Sequence, residues 1–238
     1  MCGVTPDEIR RLARVAAALY LISALPAASA VFIELRVIAR DDPAATATNI
    51  MGSETLFRTG IALDLVGIMI FLAAVAMLYQ VFKLVNANLS LLAAFFSVIG
   101  CAIQAVDSLG NLAALVFLKG GTGLPALSNA QSQDLAYASL RLYSAAYVLA
   151  LGFFGASVIV FGYLVFTSTL VPRILGALWI FGGVGYLTFS LATVVSPPFA
   201  AQLSPFLPFG TAVVGEGPVF VWLLVKGVSV SSPNAADR

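Results

Sequence analysis

The stretch LSLLAAFFSVIGCAIQAVDSLGNLAALVF, residues 89–117, decides the fold class. It contains no Lys or Arg and a single acid, Asp107. As a helix it rises about 1.5 Å per residue, which is more than enough to cross a hydrocarbon layer about 30 Å thick. On a helical wheel Ser97, Gly100, Cys101, Gln104, Asp107, Ser108 and Asn111 fall within roughly one third of the circumference, with Phe95, Ile99, Val106, Ala113 and Phe117 opposite. Lipid offers no partner to an amide or a carboxyl, so the polar arc is expected to face protein and the apolar arc lipid.

The rest of the chain agrees with a membrane reading. Of 238 residues, 61% are hydrophobic and 10% charged, a balance outside that of soluble domains. The runs are continuously apolar and lack the alternation of a barrel strand. The expected class is therefore all-α: an integral membrane bundle of six spans, at about 12–33, 54–82, 89–117, 129–167, 171–195 and 209–227. They form a single membrane domain over residues 12–228, between an N-terminus of residues 1–11 and a polar tail at 229–238.

Local chemistry marks several boundaries. Ser53 is suited to cap the second span, with Glu54 and Arg58 as an i, i+4 pair. Ser128-Asn129-Ala130-Gln131 reads as a capping box for the fourth span, and Pro172 suits the first turn of the fifth. Gly152, Gly155, Gly176, Gly182, Gly183 and Gly185 lie inside apolar runs, where small residues bring helices close rather than cradle phosphate. The segment 196–208 holds four prolines and interrupts any helix.

Charge gives the orientation. With the N-terminus inside, Arg10, Arg11, Arg14, Lys83, Arg173, Lys226 and Arg238 are cytoplasmic, and Arg36, Arg40, Arg58, Lys119 and Arg141 are outside. Three arginines directly precede the first span, so both termini are expected in the cytoplasm and the protein in the cell membrane. Those arginines, the apolar run after them and Ala28-Ser29-Ala30 also resemble a signal peptide. The run continues through Val31, Phe32 and Ile33, which favours an uncleaved span.

Composition excludes several functions. A net charge of +1 leaves no basic face for nucleic acid, and the absence of histidine removes the commonest general base and metal ligand. Cys2 and Cys101 make neither a disulfide framework nor a metal spacing. No metal and no cofactor are expected.

The informative residues are the acids inside spans. Each charged carboxyl at the bilayer centre costs about 2.5 to 3.5 kcal/mol, so it needs a partner, a proton or water. Asp64 shares a face with Phe57, Gly60, Gly67 and Phe71; Glu216 stands beside Pro218, where the helix is expected to break. We expect Asp64, Gln104, Asp107, Asn111 and Glu216 to line one cavity, with Glu216 converging on Asp107 or Asp64, and Arg58 and Arg141 at its mouth. Ser97, Cys101 and Ser108 read as packing groups, and Glu34 and Arg36 as interfacial snorkelling residues.

Several segments in order resemble a known family: Ser53-Glu54-Thr55-Leu56-Phe57-Arg58 with Asp64-Leu65, Leu78-Tyr79 with Lys83-Leu84-Val85-Asn86, Phe153-Phe154-Gly155 with Gly162-Tyr163-Leu164, Pro172-Arg173-Ile174-Leu175-Gly176 with Gly185-Tyr186-Leu187, and Glu216 with Trp222-Leu223-Leu224-Val225-Lys226-Gly227. Together they are similar to the bacterial membrane proteins grouped as domain of unknown function 4386. The resemblance implies six helices and no assigned activity, so it supplies no catalytic residues. Its pattern places a histidine after the Phe-Phe-Gly run, where this chain has Gly155-Ala156-Ser157.

Three functions compete. The first is binding or transport of a small amphipathic, lipid-like molecule in an acid-lined cavity. The second is a metal-free enzyme on a lipid or isoprenoid, with Asp or Glu as general acid. The third is an accessory subunit whose polar groups serve packing alone.

Overall fold

The computed structural model describes residues 5–119, 127–203 and 207–229. Among them the elements are α1 (Pro6–Val37), α2 (Pro43–Gly52), α3 (Glu54–Phe82), α4 (Ala87–Leu118), α5 (Asn129–Thr167), α6 (Arg173–Val195), α7 (Pro197–Ala200), α8 (Leu207–Gly215) and α9 (Gly217–Val225). Among the described residues six helical segments are long and apolar enough to cross a membrane: α1, α3, α4, α5, α6 and the broken pair α8–α9. The polar tail beyond residue 229 lies outside the described residues.

The boundaries follow local chemistry. At α5 the capping box closes, with the Ser128 N–H donating to Gln131 Oε1 at 2.9 Å and the Gln131 N–H to Ser128 Oγ at 3.3 Å. Pro172 is the N-cap of α6. α1 starts earlier than its apolar run, at Pro6, because Asp7 and Glu8 suit a first turn. α2 is an addition to the expected six. Asp42 caps it by accepting from the Ala45 N–H, and Ser53 ends it with an N–H bond back to Ile50. Ser53 thus closes α2 at the same point where its carbonyl accepts the Phe57 N–H of α3.

The chain divides into two compact units. The first comprises Met1–Leu21, Ile70–Gly100 and Ala150–Arg238. Its interior holds Phe82, Phe161, Trp179 and Phe220, with Phe161 and Trp179 stacked at 5.7 Å and Phe220 edge-on to Trp179 at 5.3 Å. In lipid the hydrophobic effect does not drive helices together, so close packing must do so. Gly155 and Gly183 supply it: a Cβ on Gly183 would stand 2.7 Å from the Gly155 carbonyl oxygen, and one on Gly155 would stand 2.8 Å from that of Gly183. Ser97 and Ser157 join α4 to α5 through a 2.7 Å hydroxyl pair, and Ser157 also donates to the Ala93 carbonyl.

The second unit comprises Ile22–Met69 and Cys101–Leu149. Its apolar core brings together Val37, Ile50, Phe57, Ile61, Ala114, Leu115, Ala136 and Leu140. Ile50 comes from α2, which is tied to the end of α1 by Thr46 hydroxyl contacts with Ala39 and by Asn49 donating to the Val37 carbonyl. Between the two helices Asp41 has a positive φ of 56° and donates its N–H to the Tyr137 hydroxyl at 2.8 Å.

The α4 wheel is realised in burial. Asp107, Ser108 and Asn111 are buried, Gln104 is half-buried, and Phe95, Ile99 and Val106 face outward. Phe117, expected on the lipid side, instead packs partly against the second unit's core.

Candidate functional site

A polar layer occupies the second unit, one helical turn from its apolar core. Asp64 lies three residues from Ile61, Glu34 three from Val37, Asn111 three from Ala114, and Tyr143 three from Leu140. Residues at that spacing are neighbours on one helix face. α1, α3, α4 and α5 therefore each carry a polar group next to a core residue.

Small residues bring these groups together. A Cβ on Gly110 would lie 2.7 Å from the Ser139 carbonyl oxygen and 3.0 Å from Tyr143 Cβ. Its absence seats Tyr143 against α4, one residue along from Asn111. Gly67 does the same for α1 and α3, its Cβ position lying 3.4 Å from the Ser23 carbonyl oxygen.

Within the layer Gln104 Nε2 donates to Asp64 Oδ1 at 3.0 Å. Tyr143 and Asn111 are hydrogen-bonding neighbours of the Glu34 carboxyl. Glu34, Asp64 and Asp107 are near enough to one another to repel when charged, and Tyr147 stands in the field of all three. Asp64 Oδ2, both carboxyl oxygens of Asp107 and Asn111 Oδ1 are buried with no hydrogen-bond partner. All four open atoms are acceptors. Among the described residues no group of three His, Cys, Asp or Glu side chains is arranged to hold a metal ion.

The family model described as "Domain of unknown function (DUF4386)" matches residues 15–227. The chain belongs to this family. No curated protein and no solved structure matches it.

In this DUF4386 chain four of the five expected site residues, Asp64, Gln104, Asp107 and Asn111, belong to the second unit. Glu216 belongs to the first, where it separates α8 from α9. Pro218 cannot donate to the Val214 carbonyl, which explains the break. Glu216 is 4% exposed and accepts a hydrogen bond from the Tyr20 hydroxyl, while its Oε1 has no partner. Tyr20 in turn stacks on Phe220 at 3.5 Å. Arg58 and Arg141 sit at the second unit's surface in ion pairs. Arg58 meets Glu54 at 2.7 Å, with Lys119 on the same carboxyl, and Arg141 meets Asp41 at 3.9 Å.

The sequence places Glu34 at the interface rather than in the site and does not single out Tyr143 or Tyr20. For Glu34 a signal existed: Ser23, Ala30 and Val37 recur every seven residues on the buried face of α1, and Glu34 lies between the last two on that face.

Proposed function

We propose that the polar layer of the second unit binds a small amphipathic, lipid-like molecule within the membrane, for binding or transport. One observation carries the reading: Asp107 is buried with both carboxyl oxygens unpartnered. A packing carboxyl such as Glu216 keeps at least one oxygen partnered, whereas a carboxyl with both oxygens open at this cost points to a site. The arginines before the first span support placing both termini in the cytoplasm and the protein in the cell membrane.

The test is retention. Full-length protein purified from its membranes is extracted and the extract analysed by mass spectrometry, beside Asp107→Asn, which keeps volume and removes charge. An amphiphile held by the original chain and missing from a helical, folded variant is the expected result. Equal retention by both overturns the reading.

A second reading draws on the presence of carboxyls from α1, α3 and α4 within one another's field in one layer. Acids in one layer are what a metal-free enzyme on a lipid or isoprenoid needs for general acid catalysis. Chemical change of the retained amphiphile on incubation would favour that reading over simple binding. The accessory-subunit reading fits the open oxygens of Asp107 least.

A further inference from the structure

The polar layer is one-sided in its chemistry, and that asymmetry describes its ligand. Four atoms stand open, and each of them can only accept a hydrogen bond once the carboxyls are charged: Asp64 Oδ2, Asp107 Oδ1 and Oδ2, and Asn111 Oδ1. Asn111 is an independent witness, since it is an uncharged amide, 3% exposed, turned with its donor toward Glu34 and its oxygen left open. Three of the unit's five cations are committed elsewhere, Arg58 and Lys119 to Glu54 and Arg141 to Asp41, and the other two, Arg36 and Arg40, are exposed. Three carboxyls therefore share the layer without a basic partner from these side chains.

A metal ion does not suit the arrangement, because the carboxyls interact at a distance without converging as a triad of ligands. Water would satisfy the acceptors and leave the charge unanswered. An ammonium group does both: it carries three N–H donors and one positive charge. The layer is embedded in helices whose outward faces are apolar, including Phe32, Leu109 and Leu142, so a ligand arriving through lipid needs an apolar tail.

We infer that the layer formed by Glu34, Asp64, Asp107 and Asn111 receives the ammonium end of an amphipathic amine. This rests on the binding function proposed above and names the ligand class for the same site.

The experiment uses the full chain in phosphatidylcholine nanodiscs and a dodecylamine bearing a diazirine at the chain end. Crosslinked peptides are mapped by mass spectrometry, and labelling is competed with dodecylamine, dodecanol, dodecanoate or n-butylamine. Labelling within Ile22–Met69 or Cys101–Leu149 is expected, with dodecylamine competing at concentrations about tenfold below dodecanol, the weight of one charge-assisted contact. Asp107→Asn is expected to abolish that preference, with the folding of the variant checked separately by its unfolding in dodecyl sulfate mixed micelles. Asp64→Asn provides the same test should Asp107→Asn fail to fold.

Dodecanol or dodecanoate competing as well as dodecylamine overturns the amine and leaves the amphiphile reading standing. Butylamine matching dodecylamine keeps the ammonium chemistry and overturns its lipid-borne source. Absence of competable labelling by any of the four overturns both the inference and the reading beneath it.

Discussion

Glu216 and Asp107 are both buried carboxyls on apolar helices, yet their surroundings differ. Glu216 sits among stacked rings and takes a hydrogen bond from Tyr20, which is itself held against Phe220. Asp107 has neither oxygen satisfied and two further acids nearby. The first unit spends its sequence on close approach, through Gly155, Gly183 and the aromatic core, and leaves Glu216 Oε1 and Trp179 Nε1 open singly, whereas the second gathers four open acceptors in one layer beside an apolar core. A region built for packing and one built around unmet polar groups should respond oppositely to mutation.

The largest effect is expected from Gly183→Leu. Its Cβ alone would press on the Gly155 carbonyl and on Ile159, so overpacking should cost about 3 kcal/mol or prevent folding, read as unfolding by dodecyl sulfate in mixed micelles. Full tolerance would remove the contrast from the first unit's side. Next comes Tyr20→Phe, which keeps the stacked ring and deletes the donor to Glu216. Stranding that carboxyl should cost about 1 to 3 kcal/mol in the same assay.

Asp107→Asn should move the other way. Replacing an unpartnered buried carboxyl by an amide is expected to leave stability unchanged or raise it by about 1 kcal/mol, while amphiphile retention is lost. A large loss of stability would make Asp107 a packing residue and dissolve the difference between the two units. Smallest is Arg141→Ala, whose ion pair with Asp41 is exposed on both sides. No measurable change in unfolding is expected, since exposed pairs contribute little, and a clear change in ligand retention would assign Arg141 to the mouth of the site.

The sequence made the helices and the buried arc of α4 legible, because continuous apolar runs and a 3.6-residue period are properties of a single segment. It did not reveal which faces meet. Asp64 and Gln104 were recognised separately, but their hydrogen bond depends on how α3 and α4 are packed. Glu34 reads as interfacial beside Arg36, and only its hydrogen bonding with Tyr143 and Asn111 makes it part of the layer. Tyr143 owes its place to Gly110 on another helix, a relation no single helical wheel contains. Nor does the sequence announce α2: Pro43–Gly52 is too short to look like a span, and besides the burial of Ala47 and Ile50 it is held by polar contacts of Asp42, Thr46 and Asn49.

Asp41 limits what the chain can vary. It is the one non-glycine residue with positive φ among those described, and it makes the turn that lets α2 fold back on the end of α1. Left-handed backbone of that kind is tolerated by Asp, Asn and Gly and strained for β-branched side chains. In any collection of relatives that keep α2, this position should therefore be restricted to those three residues, even though its side chain is 89% exposed. An exposed site with so short an alphabet would be mistaken for a contact residue, when what it conserves is the direction of the chain.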